Sequence, residues 1–172
     1  MSCEETNISK KNIIIALLGT LVILILFCGA IFNSFTAKKI TVNKFENSND
    51  ANIKYCIDSQ EHDNISNYVT IKGWAFIDGE EIKTFNCHLV LRDKENGDCM
   101  ELPTKLVIRK DVTDAFKALE NKFNYDKSGF EGKVSLNKLN KPISNYEICL
   151  DYMNNNSRIF LKTGILLSEK GK

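Results

Sequence analysis

Residues 84–92 read TFNCHLVLR, and apolar and polar side chains alternate along this stretch. Successive side chains of a β-strand point to opposite faces, so the alternation predicts a strand with one apolar face. That face comprises Phe85, Cys87, Leu89 and Leu91, and the opposite face comprises Asn86, His88, Val90 and Arg92. A strand of this kind covers a core with one side only.

Other short apolar runs lie on either side of this strand, and turn residues separate them. Asp78-Gly79 precedes the strand and Asn96-Gly97 follows it, and both dipeptides favour hairpin turns. The remaining predicted strands are residues 53–58, 68–77, 99–109, 130–136, 146–152 and 158–167, and Pro103 is where the strand 99–109 can be broken. About seven short strands are typical of a mainly β fold, and we expect an immunoglobulin-like β-sandwich over residues 53–168. An open sheet capped by a helix is the alternative.

One helix is predicted within the β-rich region, in the segment DVTDAFKALENKF that begins at residue 111. Its apolar residues follow a helical stripe, namely Val112, Phe116, Leu119 and Phe123. Asp111 stands where it can cap the first turn of this helix.

The N-terminal part contains an apolar run without a charged residue, residues 13–32. A helix of this length spans about 30 Å, the thickness of the hydrocarbon core of a bilayer. We expect residues 1–12 to be a cytoplasmic head, residues 13–32 a transmembrane helix and residues 33–52 a flexible linker. A cleaved signal peptide is the rival interpretation, but its apolar region is usually shorter.

The orientation in the membrane is argued from the short head and from the β-rich region. A short head before a long apolar run is typical of a signal anchor, which leaves residues 53–168 outside the cytoplasm. The basic residues on the two flanks slightly favour the opposite orientation, because Lys38, Lys39 and Lys44 follow the run. We expect a single-pass protein with its C-terminal region outside the cytoplasm.

Composition argues against several classes of function. The 23 basic and 22 acidic residues nearly cancel, so we expect no nucleic-acid partner. The two histidines, His62 and His88, have no cysteine or histidine at a metal-binding spacing, so we expect no metal and no cofactor. No nucleophile motif or phosphate-binding glycine loop is present, and we expect no catalytic residues.

Acidic residues and cysteines leave other interpretations open. Asp93, Glu95 and Asp98 cluster in one turn, where a solvated hairpin is favoured over a calcium site. Four of the cysteines, which follow the apolar run, could form two disulfides or remain free: Cys56, Cys87, Cys99 and Cys149.

Aromatic residues on the second predicted strand are the candidate binding residues. Tyr68, Trp74 and Phe76 lie on one face of residues 68–77, and aromatic faces can stack on sugar rings. The strand is apolar on both faces, however, as expected of a central strand whose aromatic residues fill a core.

Several short motifs occur in a recognisable order. They are Gly73-Trp74-Ala75-Phe76, Arg109-Lys110-Asp111-Val112-Thr113 with Phe116, Tyr125 with Ser128-Gly129-Phe130, and Tyr146-Glu147-Ile148. This series resembles a β-sandwich domain of bacterial cell-envelope proteins that accompanies membrane anchors and, in some cases, surface-polysaccharide glycosyltransferases. The resemblance covers about residues 66–167, and Lys110 stands where family members often have proline.

The resemblance implies a fold and a compartment but carries no catalytic residues. We therefore expect a non-enzymatic, membrane-anchored binding or interaction module of the cell envelope, with a cell-surface glycan or a membrane protein as partner. An accessory subunit of envelope polysaccharide assembly is the alternative, and an enzyme is a third interpretation.

Overall fold

The computed structural model describes residues 10–34, 37–40, 52–117, 122–154 and 157–168. Contacts divide the chain into two units, Met1–Thr36 and Ala37–Lys172. The predicted head falls mostly outside the described residues, as do residues 35–36 and 41–51 of the predicted linker.

The first unit contains the helix α1, Lys10–Ser34. Its large apolar side chains are exposed over the whole circumference, and among the described residues it is the helix long and apolar enough to cross a membrane. Such a helix satisfies its own backbone hydrogen bonds in lipid. The predicted apolar helix is therefore present, and it extends beyond residues 13–32 at both ends.

The second unit is mainly β, as predicted. Its strands are β1 (Lys38–Ile40), β2 (Ile53–Asp63), β3 (Tyr68–Ile77), β4 (Phe85–Asp93), β5 (Cys99–Glu101), β6 (Thr104–Val107), β7 (Gly129–Ser135), β8 (Tyr146–Asn154) and β9 (Ser157–Leu166). The helix α2 covers Lys110–Lys117, and three 3₁₀ turns cover Asp126–Ser128, Leu136–Lys138 and Ile143–Asn145.

The strands form two antiparallel sheets. The five-stranded sheet has the order β1-β5-β4-β8-β9, and the four-stranded sheet has the order β2-β3-β7-β6. Two sheets therefore replace the single open sheet of the alternative prediction, and this arrangement fits a β-sandwich.

Inner-facing residues of both sheets share one hydrophobic cluster. Its fully buried members are Val69, Ile71, Ala75, Leu89, Leu91, Ile148, Leu150 and Tyr152, each with 0% of its surface exposed. Leu89 faces Leu150 and Leu91 faces Ile148 in the register of β4 and β8, so the alternation of residues 84–92 places its apolar side in this core.

One predicted strand is broken at the expected proline, and one short strand lies where a linker is predicted. The predicted strand 99–109 is divided into β5 and β6 because the chain crosses between the sheets at Leu102 and Pro103, and proline supplies no N–H to a ladder. In the predicted linker, Lys38–Ile40 pairs with β5 at the edge of the five-stranded sheet.

Gly132 allows the two sheets to approach closely at one point. A Cβ atom at this position would lie 2.7 Å from Leu89 Cδ1 and 3.2 Å from the carbonyl oxygen of Pro103. Any larger side chain would therefore push β7 away from β4.

We expect Leu150→Ala to lower the free energy of unfolding by about 2–5 kcal/mol, because it leaves a cavity between the sheets. The matched control is Leu106→Ala on β6, where 47% of the side chain is exposed and the expected change is within about 0.5 kcal/mol. Urea unfolding of both variants, followed by the circular dichroism of the β-structure, measures the difference. Equal losses in the two variants would contradict the placement of Leu150 in the core.

Candidate binding groove

The outer face of the four-stranded sheet carries the residues of β3 that point away from the core. One end of this face is covered by an aromatic cluster, which we define as Trp74, Phe76, Phe116 and Tyr125. Phe76 stacks on Tyr125 with ring centroids 3.8 Å apart, and it meets Phe116 edge-on at 4.8 Å. Val112 and Ile82 complete this second, smaller core beneath α2.

The three predicted binding residues do not form one exposed platform. Phe76 is fully buried in the aromatic cluster, and Trp74 is half-buried there, 5.4 Å from Phe76 between ring centroids. Tyr68 is 40% exposed at the opposite end of β3. Trp74 and Phe76 thus fill a core, but this core lies on the outside of the sheet and not between the two sheets.

Thr113 holds this small core together. Only 2% of its surface is exposed; its hydroxyl accepts a hydrogen bond from the backbone N–H of Tyr125 at 2.9 Å and donates one to Asp126 Oδ1 at 2.5 Å. The backbone N–H of Arg109 donates to the carbonyl oxygen of Asp126 at 2.7 Å, and that of Gly79 donates to the Tyr125 hydroxyl at 3.1 Å. These bonds fasten α2 to the segment that precedes β7, and they fasten that segment to the turn after β3.

Within the described residues, the helix α2 ends at Lys117, before the last two residues of the predicted apolar stripe. Val112 and Phe116 contact the aromatic cluster as the stripe predicted. Leu119 lies outside the described residues, and Phe123 follows α2 with 36% of its surface exposed.

Beside the aromatic cluster lies a groove with a volume of ≈ 300 Å³. Its walls come from β2, β3, β7 and the segment that leads from β6 to α2. The lining residues are Asp58, Ser59, Lys72, Gly73, Val107, Arg109, Phe130 and Glu131. Sequence reasoning missed this groove, although Gly73, Arg109 and Phe130 belong to the motifs that it singled out.

Arg109 is the central charged residue of the groove. Its Nη1 atom donates to Asp58 Oδ2, its Nε atom donates to Asp111 Oδ1 at 2.9 Å, and its Nη2 atom donates to Asp111 Oδ2 at 2.6 Å. The two carboxylates raise the pKa of the guanidinium, and Arg109 in turn lowers the pKa of Asp111. The arginine is therefore held in one orientation with its charge balanced.

Gly129 provides the space that Arg109 occupies. A Cβ atom on Gly129 would lie 2.4 Å from Arg109 Cγ and 2.5 Å from the carbonyl oxygen of Val107. The Ser128-Gly129-Phe130 motif therefore has a steric role at the groove.

A β-bulge places Asp58 against Arg109. The register between β2 and β3 shifts between Ile57 and Ser59, which leaves Asp58 outside the regular ladder. Burial raises the pKa of the neighbouring Cys56 thiol, and the Asp58 carboxylate raises it further. Cys56 is therefore a poor source of thiolate.

The other charges of the groove are also paired. Lys72 Nζ lies 2.8 Å from Glu61 Oε1, and Lys105 Nζ lies 3.1 Å from Glu131 Oε1. Every charged side chain that lines the groove thus has a partner of opposite charge.

The described cysteines are free. Cys87 lies in the core between the sheets, whereas Cys99 and Cys149 pack with Val90 and Phe160 on the outer face of the five-stranded sheet. Burial raises the pKa of Cys149 to about 12 and raises that of Cys87 further. Cys87 and Cys149 lie on opposite faces of the sheet, and Cys3 is outside the described residues.

The acidic turn predicted to be a solvated hairpin is bound by a lysine. Lys141 Nζ lies 2.7 Å from Asp93 Oδ2 and 2.7 Å from Glu95 Oε2, so a protein cation balances both carboxylates. Asp98 bonds within the turn to Asn96. The described ranges contain no group of three His, Cys, Asp or Glu residues that could hold a metal ion.

The fold and the groove define a mainly β unit with a polar surface site, in a chain that also has one apolar helix. No family model, curated protein or solved structure matches the chain.

We expect Thr113→Val to lower the free energy of unfolding by about 1–3 kcal/mol, because it leaves the buried N–H of Tyr125 without an acceptor. Thr70→Val is the matched control, since Thr70 is a half-buried residue of β3 on the outer face of the four-stranded sheet. Chemical denaturation of both variants measures the loss. A loss of the same size in both variants would show that the Thr113 hydroxyl does not fasten α2.

We expect Lys141→Met to lower the melting temperature at neutral pH and to have little effect in strong acid. Lys141 holds the pKa of Asp93 below its usual range, so its stabilising contribution is present above the usual aspartate pKa. That contribution is lost as the pH falls through the lowered pKa. Thermal unfolding from neutral to acidic pH measures this convergence, with the exposed Lys138→Met as control; a constant difference at every pH would contradict it.

Proposed function

We propose that the chain is a membrane-anchored, extracytoplasmic binding module of the bacterial cell envelope, and that its ligand is a glycan bound in the groove around Arg109. The observation that carries the proposal is the groove itself. It combines an arginine fixed by carboxylates with further hydrogen-bonding groups and an apolar contact, which is the mixture that fixes and orients polar ligands.

The order of the strands supports the immunoglobulin-like type of β-sandwich. In the four-stranded sheet, the spatial order β2-β3-β7-β6 corresponds to strands A, B, E and D of that fold. The sequence β5-β4-β8-β9 corresponds to strands C′, C, F and G, and β1 is an additional edge strand. Such folds present binding surfaces on a rigid scaffold.

Exposed apolar side chains on α1 support the membrane anchor. Burying them in lipid removes them from water, and Lys10 can remain among the headgroups at the N-terminal end. We propose that the N-terminus is cytoplasmic and that the β-rich unit is exported.

Chemistry of the groove supports binding over catalysis. Its acids and bases are engaged in ion pairs, no histidine lines it, and the pKa of the nearby Cys56 thiol is raised. A catalytic group needs a pKa matched to proton transfer or nucleophilic attack.

The accessory-subunit alternative has one supporting observation. Leu106 is 47% exposed and Ile108 is 56% exposed, and both lie on or next to the edge strand β6. Exposed apolar residues at a sheet edge can contact a partner protein in an assembly complex.

The test is co-sedimentation of the full-length protein, held in lipid nanodiscs, with isolated cell-envelope fragments. We expect retention that disappears when the envelope glycans are removed enzymatically and that decreases about tenfold in Asp58→Asn, which loses a charge-assisted bond. Lys138→Met, on the distant 3₁₀ turn, is the matched control and should be retained like the wild type.

Retention that survives the removal of glycans would contradict the glycan proposal and favour a protein partner of the complex. Absence of retention from both preparations would contradict the binding-module proposal as a whole.

A further inference from the structure

We infer that the groove selects an uncharged saccharide and rejects anionic envelope polymers; this inference rests on the proposed function and specifies its ligand. The evidence is the balance of charge at the site together with the hydrogen-bonding capacity that the ion pairs leave over.

The charge balance is visible in the lining of the groove. Two basic residues, Lys72 and Arg109, stand against two acidic residues, Asp58 and Glu131. Further outward, Asp111 binds Arg109 and Lys105 binds Glu131, and the exposed Lys133 lies near Glu61. An anionic ligand would face two carboxylates, and each cation that lines the groove is already paired with a carboxylate. The free-energy cost of removing the ligand's charge from water would therefore not be offset.

Free hydrogen-bonding positions remain despite these pairs. A guanidinium group has five N–H donors, and the bonds from Arg109 Nε, Nη1 and Nη2 engage three of them. The side chain of Arg109 is 23% exposed, so the remaining donors can reach a ligand. Glu131 binds Lys105 through Oε1, which leaves Oε2 as an acceptor.

A sugar hydroxyl donates and accepts hydrogen bonds at the same time, and neighbouring hydroxyls match a fixed donor placed beside a fixed acceptor. Arg109 beside Asp58 supplies one such combination, and Glu131 beside Lys72 in the register of β3 and β7 supplies another. Charged donors and acceptors strengthen these bonds without requiring a charge on the ligand.

The shape of the groove agrees with a short saccharide. The half-buried side chain of Val107 gives it an apolar contact, against which the C–H face of a sugar ring can pack. The volume of ≈ 300 Å³ is at the lower end of the range for small-molecule sites. Gly73 leaves room for the Phe130 ring, which is buried beneath the groove, since a Cβ atom there would lie 2.7 Å from that ring.

The test uses the full-length protein in nanodiscs of zwitterionic lipid, with ligand-observed NMR titration as the readout. The neutral probes are short oligosaccharides of glucose and of N-acetylglucosamine, and the anionic probe is an oligogalacturonate of similar length. We expect a neutral probe to bind with an affinity that changes little with salt, because screening strongly affects only charged ligands. The anionic probe should bind at least about tenfold more weakly than the neutral probe.

Glu131→Gln is the diagnostic variant, because it keeps the shape of the side chain and removes one carboxylate charge. It should bind the neutral probe about tenfold more weakly through loss of a charge-assisted bond. It should also bind the anionic probe more tightly than the wild type does, because Lys105 is then unpaired. Lys138→Met should match the wild type with both probes, and circular dichroism checks that each variant is folded.

Three outcomes would overturn the inference. The first is tighter, salt-sensitive binding of the anionic probe by the wild type, and the second is neutral binding that Glu131→Gln leaves unchanged. The third is absence of binding to every neutral probe while retention on envelope fragments still depends on glycans, which leaves the proposed function standing. Loss of that retention as well would reject both proposals.

Discussion

Burial of the inner faces of β3, β4 and β8 is the constraint on which the rest of the second unit depends. Ile71, Leu89 and Leu150 are fully buried between the sheets, and a shift of one residue in any of these strands would turn its apolar side to solvent. Because burial of the inner face fixes the register, it also determines which side chains lie on the outer face. Lys72 and Trp74 point outward for this reason, and both the groove and the aromatic cluster are built on the face that remains.

Strands could be predicted from the sequence where their own side chains alternate or form one apolar run. Strands that form only by pairing with a distant segment could not be predicted. β3 and β4 were predicted almost to the residue because their side chains alternate or form one apolar run between turns. β1 has only three residues, and its strand conformation comes from the edge of β5, which a local pattern cannot indicate. The division between β5 and β6 is likewise a consequence of the crossing between sheets, of which Pro103 was the one local sign.

Only part of the candidate site could be predicted from the sequence. Aromatic residues on β3 were identified from the sequence, and two of them, Trp74 and Phe76, fill a core that needs α2 to cover it. Arg109 was recorded only as part of a motif, because its partner Asp58 lies 51 residues away and faces it through a bulge. Thr113 and Gly129 give two of these motifs a structural role: Thr113 fastens α2 to the segment that precedes β7, and Gly129 makes room for the arginine.

The free thiols of the β-rich unit have a consequence for how the protein matures. Cys87, Cys99 and Cys149 are enclosed by apolar side chains, and their packing supplies stability without a covalent bond. Folding of these strands therefore requires no oxidising catalyst and gives the same result in a reducing compartment.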